Sequence, residues 1–207
     1  MNLIFDLDGT LVDARQRLYR LFSELVPIST LSFDEYWSLK RDGTSHEMIL
    51  GTQLGFHAEA IERFRGEWMS RIESPGLLAL DENFPGIHVA LEKLRGQASL
   101  FVCTARQNRQ GAIDQLKALG LFEYFQQVLV TERNVSKVDL LSTISPLGAE
   151  DWMIGDTAED MQVGKALGMR TCAVLSGFSS EARLARCSPD VVVPTAADFP
   201  AAALTER

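Results

Sequence analysis

The chain opens on a continuous apolar run, Leu3-Ile4-Phe5, cut off by Asp6-Leu7-Asp8-Gly9-Thr10. Runs of this kind read as strands buried on both faces. The period then changes. Leu18, Leu21, Phe22 and Leu25 recur at helical spacing within 13–26, and Pro27 ends the segment. A second helix is predicted over 33–40, from Phe33, Tyr36, Trp37 and Leu39, followed by a loop over 41–45. Ser45 is placed to cap a third helix containing Met48, Ile49 and Leu50. A fourth runs over 58–72, with Ile61, Phe64, Trp68 and Ile72 on one stripe. No strand is predicted between 13 and 80.

Asp81-Glu82-Asn83-Phe84-Pro85-Gly86 is a turn-rich boundary. Beyond it, predicted strands at 98–103, 128–130, 152–154, 171–175 and 191–193 alternate with predicted helices at 87–94, 111–119, 137–144, 161–167 and 181–185. Continuous apolar strands separated by helices predict an α/β fold with a parallel sheet covered on both faces. The stretch 13–80 then reads as a helical insertion after the first strand. There is no internal repeat, and the alanine-rich end, 196–203, is too short to count as low complexity.

In open α/β sheets ligands sit beyond the carboxyl ends of the strands. The conspicuous polar residues fall there: Asp6 and Asp8, Thr104, and Asp156, with Lys137 opening a helix shortly after another strand. Strand alternation puts Asp6 and Asp8 on one face, and Gly9 gives the chain freedom to turn away. Two neighbouring carboxylates at the end of a buried strand call for a cation, and a hard divalent ion such as Mg²⁺ suits oxygen ligands. Gly155-Asp156-Thr157-Ala158-Glu159-Asp160 alone reads as an acidic helix start, but beside Asp6 and Asp8 it reads as part of a metal site. Thr104 reads as an N-cap or as a hydroxyl aimed at a phosphate oxygen. Lys137 stands at a helix N-terminus, where the dipole gives a lysine no advantage. Arg106 and Arg109, just after Thr104, are placed to help at the site, but a solvated helix face is the better reading. His46, His57 and His88 lack ligand or triad spacing and read as surface residues. The aromatic stripe of the insertion reads as that insertion's own core.

Composition narrows the picture. The 207 residues and a net charge of −8 argue against broad binding to nucleic acid or to an anionic membrane. Cys103, Cys172 and Cys187 match neither a zinc site nor a disulfide framework, and Cys103 and Cys172 lie in apolar runs as small core residues. A reducing, cytoplasmic setting follows, with neither a leader peptide nor a membrane span expected.

Asp6-Leu7-Asp8-Gly9-Thr10-Leu11-Val12-Asp13, Thr104, Lys137 and Gly155-Asp156-Thr157-Ala158-Glu159-Asp160 occur in the order and spacing of the four motifs of the haloacid dehalogenase superfamily. Phe84-Pro85-Gly86-Ile87, Asp160-Met161-Gln162-Val163-Gly164 with Gly168, and Leu175-Ser176-Gly177-Phe178 resemble its phosphoglycolate phosphatase-like branch with a helical cap. The resemblance implies a Rossmann-like core at 1–13 and 81–207, with strand order 5-4-1-2-3, and a cap of four or five helices at 14–80. It implies a Mg²⁺-dependent hydrolase of a small phosphorylated metabolite, monomeric or homodimeric. It implies Asp6 as nucleophile and Asp8 as general acid and base. The metal would be held by Asp6, the Asp8 carbonyl and Asp156. Thr104, the Ala105 amide and Lys137 would hold the phosphate, and Asp160 would act behind them through water or by orienting Lys137. Lys40 and Arg41 are the cap residues expected to meet the leaving group.

Two departures bear on the chemistry. Ala105 stands where many relatives have Asn, removing a side chain near the phosphate. Leu18 stands where the related β-phosphoglucomutases have a histidine that couples acid-base chemistry to cap closure, which favours a hydrolase over a phosphomutase. The remaining alternative is a catalytically idle regulatory or binding member, which the full set of catalytic side chains opposes.

Overall fold

A computed structural model describes residues 1–144 and 146–199. The part of the alanine-rich end from 200 on lies outside them. The chain divides into two compact units: a sheet unit, Met1–Asp13 with the chain from Glu82 onward, and a helical unit, Ala14–Asp81.

In the sheet unit, β1 is Asn2–Phe5, β2 Val12–Asp13, β3 Glu82–Asn83, β4 Ser99–Thr104, β5 Gln127–Val130, β6 Trp152–Gly155, β7 Arg170–Val174 and β8 Val191–Val193. Six of these form a parallel sheet in the order β5-β4-β1-β6-β7-β8. Counting those six strands along the chain, the order reads 6-5-4-1-2-3. The expected order lies within it, and β8 extends one edge. Alternation along each strand divides the core. Leu3, Phe5, Leu100, Val102, Val128, Val130, Trp152 and Ile154 point to one face, and Ile4, Phe101, Cys103, Leu129 and Met153 to the other. Both sets are buried because helices cover both faces, which is why these strands show no polar alternation.

The helical unit holds α1 (Arg15–Leu25), α2 (Phe33–Arg41), α3 (His46–Met48), α4 (Ala58–Arg71) and α5 (Pro75–Leu78). The sheet unit holds α6 (Ile87–Arg95), α7 (Arg109–Ala118), α8 (Lys137–Leu141), α9 (Ala158–Ala166) and α10 (Glu181–Ala185). Leu91 and Leu94 of α6 and Leu116 of α7 pack on the first sheet face; Leu141 of α8 and Val163 of α9 pack on the second.

Within the helical unit Phe22, Tyr36, Ile49, Leu50 and Phe64 form a core, with Trp68 packed against it. The aromatic stripe is therefore internal packing. Ser32 and Glu35 form a capping box on α2, and Ser45 caps α3 by accepting from the Met48 amide. α3 runs on into a wider π-helical turn, Ile49–Gln53. Arg17 Nε donates to Asp81 Oδ1 at 3.0 Å, both side chains being buried, and Arg17 Nη1 donates to the Ile72 carbonyl. This pair ties the first turn of α1 to the last residue of the unit.

Two histidines expected at the surface are half-buried. His46 packs among the rings of Phe22, Tyr36, Phe64 and Trp68, and its Nε2 lies 2.8 Å from the Tyr36 hydroxyl. Burial, with Lys40 nearby, pushes its pKa down to about 3, so the ring is neutral. His88 lies 2.8 Å from Asn83 Nδ2 and 3.3 Å from the Tyr124 hydroxyl. His57 is exposed.

Candidate active site

β1 ends at Phe5, and the Asp6 amide still donates to the Ile154 carbonyl at 2.9 Å. The ladder therefore carries Asp6 to the end of the sheet. The chain then closes a tight loop, with Leu11 and Val12 amides donating to the Leu7 carbonyl and the Gly9 amide to the Val12 carbonyl. β2 pairs with β3 directly after this loop, antiparallel. That two-residue pair lies where only a turn was expected at 81–86.

Lys137 is the first residue of α8, which Ser136 caps by accepting from the Asp139 amide. Its ammonium donates to Asp6 Oδ1 at 2.6 Å and Asp160 Oδ1 at 2.7 Å. All three side chains are buried. Asp160 is held in turn: its Oδ2 accepts from the Thr157 amide at 3.1 Å and the Thr157 hydroxyl at 2.6 Å, closing a capping box on α9. One carboxylate thus starts a helix and aims a lysine. It also explains why α9 begins at Ala158 rather than at Met161, since Asp160 is the third residue of the helix.

Asp156 follows β6 and is fully buried. Its Oδ1 accepts from the Thr10 hydroxyl at 3.0 Å and its Oδ2 from the Phe178 amide at 2.6 Å. The backbone closes around it. A Cβ on Gly177 would overlap its carboxylate, and one on Gly9, at φ +84°, would come within 2.6 Å of Oδ2. The Ser176 hydroxyl donates to the Gly9 carbonyl at 2.7 Å and locks the two loops together.

Oxygens of Asp6, Asp156 and Asp160 lie within 4.8 Å of one another. Burial raises the pKa of Asp6 to about 7; Lys137 opposes this and Asp160 adds to it. Burial, with Asp6 and Asp160 nearby, raises Asp156 well above the carboxylate range against the two bonds it accepts. For Lys137 burial favours the neutral amine, but Asp160 and Asp6 outweigh it and hold the ammonium firmly charged. One ammonium among three buried carboxylates leaves a deficit of positive charge. An oxygen-rich cage of this kind fits a hard divalent cation.

Asp8 is bound differently. Arg106 Nε donates to its Oδ2 at 2.8 Å and Nη2 to its Oδ1 at 2.6 Å. Arg106 is 3% exposed, so the expected solvated arginine is instead a buried partner of Asp8. Nothing local reveals this, because the two residues lie 98 positions apart. Thr104 is buried at the end of β4, and its carbonyl accepts from the Thr131 amide. Ala105 is exposed in the turn that follows. Lys40 and Arg41 belong to the helical unit. There Lys40 Nζ donates to the Thr44 carbonyl at 3.1 Å and lines a cavity of about 350 Å³ with His46, Phe64, Arg65 and Trp68. Sequence reading also gave no role to Thr10, Gly177 or the Phe178 amide, which together place Asp156.

Residues 3–174 match the model of the haloacid dehalogenase-like hydrolases. The chain is 28% identical to "Probable phosphatase IndB" of Dickeya dadantii, over 97% of this chain and 92% of that one. It is 26% identical to a phosphoglycolate phosphatase of Aquifex aeolicus, over 85% of each. A haloacid dehalogenase-like hydrolase of Streptococcus pneumoniae shares the fold, with a TM-score of 0.74, 22% identity and 94% of each chain covered. With its sheet order, its buried acidic cluster and a match over most of its length, this chain belongs to the haloacid dehalogenase-like hydrolase family.

Proposed function

We propose that the protein is a Mg²⁺-dependent phosphatase that hydrolyses a small phosphorylated metabolite through an aspartyl-phosphate on Asp6. The observation that carries this reading is the Asp6 carboxylate at the end of β1, bonded to Lys137 inside a cluster of three buried carboxylates. The names of the relatives, phosphatase and phosphoglycolate phosphatase, support the same class.

Asp6 attacks phosphorus, and Asp8 protonates the leaving alkoxide and then takes a proton from the attacking water. Lys137, the Thr104 hydroxyl and the Ala105 amide hold the phosphoryl oxygens, each such donor contributing about 3–4 kcal/mol to the barrier reduction. Asp160 keeps Lys137 aimed at Asp6. Asp6, the Asp8 carbonyl and Asp156 would hold Mg²⁺, which when bound neutralises charge on the phosphoryl group. The helical unit is the cap that selects the leaving group, with Lys40 and Arg41 as its contacts.

Hydrolysis rather than phosphoryl transfer to a sugar follows from two residues. Leu18 packs against the cluster of Leu21, Ile72 and Leu77 and can neither accept nor donate a proton. His46, another histidine of the helical unit, is neutral and engaged with Tyr36. The test is phosphate release from p-nitrophenyl phosphate with Mg²⁺ and with chelator, then a panel of phosphorylated metabolites. Mg²⁺-dependent release is expected. Its absence on every substrate would leave an idle binding protein. Interconversion of sugar 1- and 6-phosphates faster than phosphate release would make the protein a mutase.

A further inference from the structure

Arg106 grips both oxygens of Asp8, Nε on Oδ2 at 2.8 Å and Nη2 on Oδ1 at 2.6 Å. This side-on fork is the arginine geometry that fixes a carboxylate's plane as well as its position. The guanidinium is not a loose surface group. Its side chain is 2% exposed, against 20% for that of Asp8. Its backbone is fastened too. The Arg106 carbonyl accepts from the Glu132 amide at 3.0 Å, and the neighbouring Thr104 carbonyl accepts from the Thr131 amide at 3.0 Å. Glu132 and Arg133 adopt left-handed φ values of 48° and 60° to make that loop. Such strain persists only where the surroundings enforce it.

We propose that Arg106 is a positioning residue for the second chemical step, holding the Asp8 carboxylate in the orientation from which it takes a proton from water. The inference rests on the phosphatase reading above. In that step the water oxygen bonds to phosphorus and the bond from phosphorus to the Asp6 carboxylate breaks. The water proton passes to Asp8. The products are inorganic phosphate, a free Asp6 carboxylate and a protonated Asp8, ready to act as acid in the next turnover. The fork serves this step because Asp8 enters it as a carboxylate, the form that Arg106 grips.

The test uses p-nitrophenyl phosphate with Mg²⁺, whose phenolate leaves without a proton. Formation of the aspartyl-phosphate then needs little from Asp8, and its hydrolysis needs all of it. For Arg106→Gln we expect kcat to fall about 10- to 100-fold, the range of a mispositioned catalytic group. We expect KM to fall with it, kcat/KM to stay within about threefold, and rapid quenching to show a nitrophenolate burst with phosphoenzyme accumulating. In an Asp8→Asn background Arg106→Gln should cost little more. Arg106→Lys, which keeps the charge but loses the fork, should retain the defect and decides the matter if the Gln variant does not fold. An unchanged kcat, a fall in kcat/KM as large as that in kcat, or full activity in the Lys variant would overturn the proposal. A wild-type protein with no turnover and no phosphoenzyme would overturn the phosphatase reading itself, before any variant is compared.

Discussion

Asp156 shows how tightly single residues define this site. Its two oxygens accept from the Thr10 hydroxyl and the Phe178 amide, and Gly9 and Gly177 lie close against the carboxylate. A methyl group at position 177 has no room unless the carboxylate moves. Gly177→Ala is therefore expected to displace Asp156 and cut Mg²⁺-dependent turnover by about 100-fold, with secondary structure retained. Steady-state kinetics over a Mg²⁺ titration, beside circular dichroism, would check this. Wild-type kinetics in that variant would show that Asp156 does not need its present position. The carboxylates were legible in the sequence because each ends a predicted strand or opens a predicted helix. Arg106 and Thr10 were not, since pairing with Asp8 and Asp156 is set by the fold and leaves no trace in spacing.

Among elements, those buried on both faces were readable and those held by a few polar contacts were not. Each predicted strand of the parallel sheet overlaps an observed one with ends shifted by at most one residue, because an unbroken apolar run has one way to be buried. β2 and β3 are two residues each and carry no periodicity. α5 and the π-helical turn after α3 are short for the same purpose. α1 illustrates the other half of the argument. Its apolar stripe was visible, but nothing in the spacing marks Arg17, the third residue of the helix, as buried against Asp81. Removing one member of a buried pair leaves the other charge without compensation and costs about 3–5 kcal/mol. Arg17→Met should lower the thermal unfolding temperature markedly, and Arg17→Met with Asp81→Leu should recover most of the loss. A single variant as stable as wild type would show that the pair contributes nothing to the helical unit.

At the scale of the whole molecule, the chain divides into a sheet unit and a helical unit, and the proposal gives chemistry to the first and selection to the second. All the proposed reacting groups belong to the sheet unit. In that proposal the helical unit contributes Lys40 and Arg41, and Lys40 lines a cavity with His46, Phe64, Arg65 and Trp68. Replacing both Lys40 and Arg41 with alanine should change the ranking of substrates in a metabolite panel by about tenfold or more, while p-nitrophenyl phosphate, a small aryl ester, is affected less. An unaltered ranking would remove the helical unit's proposed role in selection. The central claim is the nucleophile, and Asp6→Asn tests it most directly. The substitution keeps size and hydrogen-bonding capacity but cannot form the aspartyl-phosphate. Hydrolysis of p-nitrophenyl phosphate in Mg²⁺ should fall by about a thousandfold or more, as loss of a nucleophile does elsewhere, with the fold intact by circular dichroism. Activity retained above about 5% of wild type, far more than the residual rates left by nucleophile removal, would contradict an aspartyl-phosphate on Asp6.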